Sequence, residues 1–383
     1  MNSPPPFAFD LPSAIYNLPS RLMATLEMHP ELGREVPVGS IDKELHKLWA
    51  EDEARTNASL MNLAVYSEAP GALERNSEAV RELTAEHACR AILIGIDRHA
   101  PEASIRAWIT AHCHLSHGKK SICCEQIAFA LTGKATGRSR NTVFAHLASD
   151  LPLIFWWQGE LSPIFEDRLY SLVDRFVFDS SSWADPKASF ATIAEAVTNA
   201  TRPLVVQDLA WTRSFQFRVS VASLFDDPLV LKALPEIDTV EIVHHPDDRV
   251  TALQMLAWLV VQSGWRDGME LDLAVVRHSG GKQGFSFESA AGKAIMATLV
   301  SDETSAALGL VRLSGGRVTV SVLREMGAPH LMRRIEAPGH FVEAPGPVDP
   351  DDCAGLIGEQ LARGGKNSLF RKVLPRFREL LER

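Results

Sequence analysis

DLPLIFWWQG, from Asp150 to Gly159, holds an apolar run that enters through Pro152 and leaves through a Gln-Gly pair. A short continuous apolar segment bounded by turn residues reads as a strand buried on both faces. Side chains alternate along a strand, so Trp156 and Trp157 face opposite sides of the sheet. One belongs to the core, and the other lies near the carboxyl end of the strand, where open α/β sheets place their ligand crevices.

Outward from this strand, apolar segments alternate with helical patterns. Leu60 to Tyr66 reads as strand, Ser77 to His87 as helix, and Ala91 to Ile96 as strand. Ile122 to Leu131 follows, then a helix at Arg140 to Ser149, a strand at Leu151 to Trp157, a helix at Ile164 to Val173 and a short strand at Phe176 to Asp179. Such alternation implies crossover units and a mainly parallel sheet covered on both faces. The fold class is therefore α/β, with a Rossmann-like three-layer N-terminal domain over residues 40–200. Ser40 caps its first helix, which carries Ile41, Leu45, Leu48 and Trp49 at helical spacing. Residues 1–39 read as a flexible Pro-rich arm whose Phe7, Phe9 and Tyr16 suit docking.

The second half differs in texture. Thr239 to His244 reads as strand and Arg249 to Gln262 as helix; Leu271 to Arg277, Gly284 to Glu288, Ala294 to Leu299, Ala307 to Leu313 and Arg317 to Glu325 are strand-like. Turn signals at Ser279 to Lys282 and at Ser314 to Gly316 mark hairpins. Residues 201–383 thus read as a C-terminal α+β domain containing an antiparallel meander. It closes with helices at Pro350 to Arg363 and Ser368 to Glu382, separated by Gly364 and Gly365.

Composition narrows the function. The chain has 383 residues, 46% apolar and 23% charged, with a formal net charge of -9. That balance suits a globular protein and has the wrong sign for a duplex-binding surface, so no nucleic-acid partner is expected. The N-terminus lacks a secretory signal pattern, and the apolar run at Leu253 to Val261 is cut by Gln254 and Gln262, so no membrane span is expected and the location reads as cytoplasmic. Five cysteines (Cys89, Cys113, Cys123, Cys124, Cys353) at irregular spacing read as free thiols. Adjacent Cys123 and Cys124 point to opposite faces of a strand and read as core; Cys113 and Cys353 are the candidates for redox control.

Chemistry is sparse. A dinucleotide site needs a glycine-rich turn after the first strand. Here the turn is Ser67-Glu68-Ala69-Pro70-Gly71, with one glycine and a carboxylate where phosphate would sit. Gly133, Lys134, Gly137, Arg138 and Arg140 form the best anion-loop candidate, beside the plainer reading of a solvated loop. His112, Cys113, His114 and His117 span too little chain to wrap a metal, and read as a polar turn after a helix carrying Trp108. His244 and His245 with Asp247 and Asp248 read as a polar strand end leading into a helix. No Gly-x-Ser-x-Gly elbow or paired nucleophile stands out, so no catalytic residue, metal or cofactor is assigned.

The distinctive local sequence is Asp208-Leu-Ala-Trp211-Thr212-Arg213, followed by Arg218. It reads as an interdomain clamp, with Asp208 capping a helix and Arg213 paired internally. It also reads as a recognition surface, since Trp and Arg anchor interfaces; Trp157 and Gly159 are further candidates for partner contact. The two readings are compatible.

This string resembles the Asp-Leu-x-Trp-Thr-Arg…Trp-Arg signature of the OpcA family, with Phe217 in place of the second tryptophan. The other motifs agree in order: Ile41 to Trp49, Arg55 to Tyr66 with Asn62, His87 to Ile94, Asp150 to Gly159 (the family's Asp-x-Pro…Trp-Trp-x-Gly), Asp174-Arg175 with Asp179-Ser180, and Asp352 to Leu361. The resemblance implies a noncatalytic assembly factor or allosteric activator that binds glucose-6-phosphate dehydrogenase and supports NADPH supply through the oxidative pentose phosphate pathway. The alternative is a sugar-phosphate- or nucleotide-binding sensor or enzyme using the α/β crevice near Trp157, Gly159 and the Gly133 to Arg140 loop.

Overall fold

The computed structural model describes residues 28–50, 55–116, 120–268, 281–365 and 367–383. In chain order the first half comprises β1 (Met28–His29), β2 (Gly33–Val36), α1 (Ile41–Ala50), β3 (Arg55–Asn57), β4 (Asn62–Ser67), α2 (Ala72–Leu83), β5 (Arg90–Asp97), β6 (Ser104–Ser116), β7 (Lys120–Thr132), α3 (Ser139–Val143), β8 (Leu153–Trp157), α4 (Asp167–Tyr170), β9 (Arg175–Phe178), α5 (Pro186–Asn199) and β10 (Val205–Asp208).

Among the described residues these strands form one ten-stranded sheet, in the order β1-β2-β6-β7-β5-β4-β8-β9-β10, with β3 alongside β7. The six strands from β7 to β10 are mutually parallel. Ranked along the chain they read 3-2-1-4-5-6, the doubly wound order of dinucleotide-binding folds. The fold class read from sequence is thus present, with one change. The crossover from β5 to β7 runs through strand β6, antiparallel to β7 over thirteen paired residues, and not through a helix.

That change corrects three expectations. Trp108 and the His112-Cys113-His114 run lie on strand β6, not on a helix and a turn. The hairpin register sets Cys113 opposite Cys123 with Cα atoms 4.0 Å apart, and the two form a disulfide, leaving Cys89, Cys124 and Cys353 free. Spacing alone did not reveal the pair, because a cross-strand disulfide follows from register. Residues 28–36 of the supposed arm add two antiparallel strands beyond β6. Gly33 is required there: its φ is +88°, and a Cβ would fall 2.4 Å from the Ile109 carbonyl oxygen. Phe7, Phe9 and Tyr16 lie outside the described residues.

The second half comprises α6 (Leu209–Thr212), α7 (Phe215–Leu224), α8 (Pro228–Ala233), β11 (Thr239–His244), α9 (Arg249–Ser263), β12 (Arg266–Asp267), β13 (Lys282–Glu288), β14 (Ala294–Ser301), β15 (Leu308–Gly315), β16 (Val318–Leu323), β17 (Leu331–Ala337), β18 (His340–Gly346), α10 (Cys353–Arg363) and α11 (Ser368–Glu382). Among the described residues its eight strands run β12-β13-β14-β11-β15-β16-β17-β18, all antiparallel except the β11–β14 pair. From β15 to β18 this is the expected meander, two strands longer than the sequence pattern indicated, because β17 and β18 carry Arg333, Arg334 and Glu343 among their apolar residues. The predicted strand Leu271 to Arg277 lies outside the described residues. The helix expected at Ile164 to Val173 shrinks to α4, since Phe165 turns inward onto Trp157 and Phe176.

Packing crosses the predicted boundary at residue 200. Strand β10 belongs to the first sheet, and Leu356 and Ile357 of α10 pack with Leu63, Val65 and Trp156 on one face of it. On the opposite face, one apolar cluster runs from Ile92 and Phe129 through Trp211, Leu253 and Phe377 to Val322 of the second sheet. Helix α9, buried all round from Val250 to Val260, is the shared middle of that cluster.

Candidate functional site

Two places merit construction: the joint after β10, and the crevice at the carboxyl ends of β4, β5 and β8.

At the joint, β10 ends in Asp208, which is fully buried and caps α6 by accepting the Ala210 N–H at 3.0 Å. The same carboxylate accepts the Ser180 N–H at 3.1 Å, the Ser180 hydroxyl at 2.5 Å and the Gln254 side-chain amide at 2.6 Å. Burial raises its pKa to about 6 despite these donors. Beside it, Arg213 donates from Nη1 and Nη2 to the two Asp179 oxygens at 2.8 and 2.5 Å. Burial pushes Asp179 upward, but the Arg213 hydrogen bond and charge outweigh it and hold the carboxyl below its ordinary range. The Thr212 hydroxyl donates to the Asp208 carbonyl and accepts from Gln360 of α10.

Arg218 of α7 stacks on Trp211, its Cζ 3.4 Å from the ring centroid, and donates from Nη1 to the Trp211 carbonyl at 2.8 Å and to Ser214 Oγ. The string therefore ties β9, β10, α6, α7, α9 and α10 together, as the clamp reading requires. As a contact surface it is largely closed. Asp208, Trp211, Thr212 and Arg218 are buried, and the Arg213 side chain is only 13% exposed, so a partner does not meet these groups directly in this conformation. The sequence missed Gln254 and Gln360 as members. Their only signal was polarity inside apolar helical patterns, and Gln254 had served merely to interrupt an apolar run.

At the crevice, Tyr66 closes β4 and stacks on Trp157 with centroids 4.1 Å apart. Trp157 is wholly buried and donates to the Glu160 carbonyl at 2.9 Å, while the Gly159 carbonyl accepts from Trp183. Trp157 is floor, not lining, Gly159 is exposed outside the lining, and Trp156 is buried on the opposite face. Above them, Arg98 donates to both Glu68 oxygens at 2.8 and 2.9 Å and to Ser162 at 2.8 Å, and Tyr66 donates to Glu68 at 2.5 Å. Burial raises Glu68, and the Arg98 hydrogen bond more than reverses it. This ion pair sits after β4, where a dinucleotide-binding sheet offers bare backbone amides to a pyrophosphate.

A cavity of about 200 Å³ remains nearby, lined by Tyr66, Ile94, Phe155, Gly137 and Arg140 among others. Of the anion-loop candidates, Gly137 and Arg140 reach it. Lys134 and Arg138 are exposed outside its lining, and Gly133 holds a positive φ of 52° against the Ala100 and Glu102 carbonyls. Among the described residues no group of three or more His, Cys, Asp or Glu side chains is placed to hold a metal ion, and no helix is long and apolar enough to cross a membrane.

Residues 80–195 match the family model described as glucose-6-phosphate dehydrogenase subunit N-terminal domain, and residues 204–374 match its C-terminal counterpart. The chain belongs to the OpcA family. A Synechocystis relative named "Putative OxPP cycle protein OpcA" is 24% identical over 303 residues, covering 75% of this chain and 62% of the relative. The protein of the same name from Nostoc punctiforme is 28% identical over 190 residues, covering 48% and 40%. The matches thus span less than two thirds of the relatives' own length. Among solved structures, KijD10, a 3-ketoreductase from Actinomadura kijaniata in complex with NADP and TDP-benzene, is 12% identical over 84% of this chain and 96% of its own, with a TM-score of 0.46. A likeness at that level says nothing about chemistry.

Proposed function

We propose that the chain is a noncatalytic subunit that binds glucose-6-phosphate dehydrogenase and favours its active assembly, supporting NADPH production. The family descriptions support the association. The structural observation that carries the noncatalytic half is the Glu68–Arg98 pair with Tyr66: a carboxylate and its partner fill the position where a catalytic relative of this sheet order needs an open, glycine-lined phosphate cradle. That same closure disfavours the alternative of a nucleotide-using enzyme in the α/β crevice.

Activation without an active site requires only that the subunit bind one state of the dehydrogenase more tightly than another, and the effect is bounded by that differential affinity. The Asp208 to Arg218 joint serves this role indirectly: it fixes the two sheets against each other and keeps the outer surface rigid. The test is the rate of the cognate dehydrogenase at limiting substrate with and without one equivalent of this protein, with size-exclusion chromatography of the mixture. A higher rate with co-elution is expected. An unchanged rate and separate elution would sink the proposal.

A further inference from the structure

On the far side of Trp211 from the Asp208 carboxylate network lies a second cavity, of about 350 Å³, between β10, α7, α9, α10 and the start of α11. Its size is within the range of small-molecule sites, and its lining is unusual for a void left by imperfect packing. Trp211 and Trp258 contribute aromatic surface, and Gln207, Gln262, Gln360 and Asn367 line it too, with Gln360 donating to Thr212 and Asn367 to the Val206 carbonyl. Gln207 is 2% exposed, and its Oε1 has no hydrogen-bond partner among the described residues. A buried amide oxygen left unpaired keeps its desolvation cost unless something donates to it.

The charges point the same way. Arg218 lines the cavity, is 5% exposed, and uses only Nη1 for its hydrogen bonds to the protein. No described carboxylate stands within ion-pair distance of it; burial lowers its pKa to about 9, against the more distant charge of Asp349. Arg363, across the cavity, lies flat over Phe215 with Cζ 3.5 Å from the centroid; it pairs with Glu359 at 2.6 Å and more loosely with Asp349 at 3.9 Å. A buried guanidinium with spare donors and no direct ion pair is stabilised by an oxyanion that reaches those donors. Side-chain amides that both donate and accept suit hydroxyl groups, and the tryptophan faces suit the C–H face of a ring.

We infer that this cleft binds a small polyol bearing a phosphate or carboxylate, with the oxyanion at Arg218 and Arg363 and the hydroxyls at the glutamine side chains. The site is separate from the α/β crevice and joins elements from both sides of the joint, so occupancy would stiffen the connection between the two sheets.

The test is isothermal titration of the purified chain with glucose 6-phosphate, gluconate and inorganic phosphate. At least one polyol is expected to bind ten-fold or more tightly than inorganic phosphate. The Arg363→Gln and Val219→Trp variants should each weaken it at least ten-fold, and Val219→Trp, at a position 46% exposed on the rim, should leave the thermal unfolding midpoint of the free protein unchanged. Absence of binding by both polyols, binding no tighter than that of phosphate, or binding that survives both rim variants overturns the inference. Because no dehydrogenase is present, failure here leaves the partner reading standing, and failure of that reading leaves this one intact.

Discussion

Asp208 and Asp349 are two carboxyls that burial pushes upward, to about 6 and about 7 from an ordinary value of 3.8, in the second case against the Gln216 N–H and the charges of Arg218 and Arg363. A folded-state pKa above the unfolded one means that the native protein holds the proton longer. Their contribution to stability is therefore full below about pH 4 and declines as pH rises through 6 and 7. Replacing Asp349 with Asn keeps an oxygen for the Gln216 N–H, 2.7 Å away in the native protein, and removes the titration. From pH 5 to pH 8, the stability of D349N relative to the native protein should rise by roughly 1–3 kcal/mol in urea unfolding. A difference that is flat or falls with pH would show that Asp349 is already ionised at pH 5. Asp179 works in the opposite sense, its depressed pKa depending on Arg213. Arg213→Ala leaves that carboxylate buried and unpaired and should cost about 3 kcal/mol. Arg213→Lys should recover part of this, since it keeps the charge but loses the bidentate fork. An Arg213→Lys variant as stable as the native protein would remove the fork from the explanation.

Among the elements, α10 is the most instructive, because it lies late in the chain yet covers the first sheet. Leu356 and Ile357 are fully buried against Leu63, Val65 and Leu83, and Gln360 reaches Thr212 at the joint. Leu356→Ala should destabilise the protein by about 2–5 kcal/mol, the cost of a core cavity and not of a surface helix; chemical denaturation measures it, and a loss under 0.5 kcal/mol would mean that α10 is dispensable to the sheet. The amphipathic pattern from Cys353 to Arg363 was legible in the sequence, as were strands β4, β5, β8 and β9. The partner of α10 was not, since an apolar stripe announces that it will be covered without naming what covers it. The β6–β7 hairpin was misread for a related reason. Trp108 and the histidines beside it alternate in a long strand, but mixed polarity blurred the period that separates strand from turn.

At the scale of the molecule, the two sheets share α9 and a continuous apolar cluster, and the buried hydrogen bonds of Asp208 and Thr212 cross between elements of both. The native chain should therefore unfold as one cooperative unit. Far-ultraviolet circular dichroism and tryptophan fluorescence should give coincident urea transitions, whereas two resolved transitions would make each sheet an independent folding unit divided near residue 200.

The sequence by itself determined the α/β class, the absence of a glycine-rich nucleotide turn, the β15–β16 hairpin and the family, because periodicity, turn chemistry and short ordered motifs are local properties. It also marked Asp208, Trp211, Arg213 and Arg218 as exceptional. Only the tertiary structure decided what they do: Asp208 reaches Ser180 and Gln254, Arg213 reaches Asp179, and Arg218 turns onto Trp211 with no direct ion pair. Burial and partner identity arise from contacts between segments distant along the chain. For the same reason the Cys113–Cys123 bond, the Glu68–Arg98 closure of the crevice and the cleft beside Trp258 emerged only when the sheets were assembled.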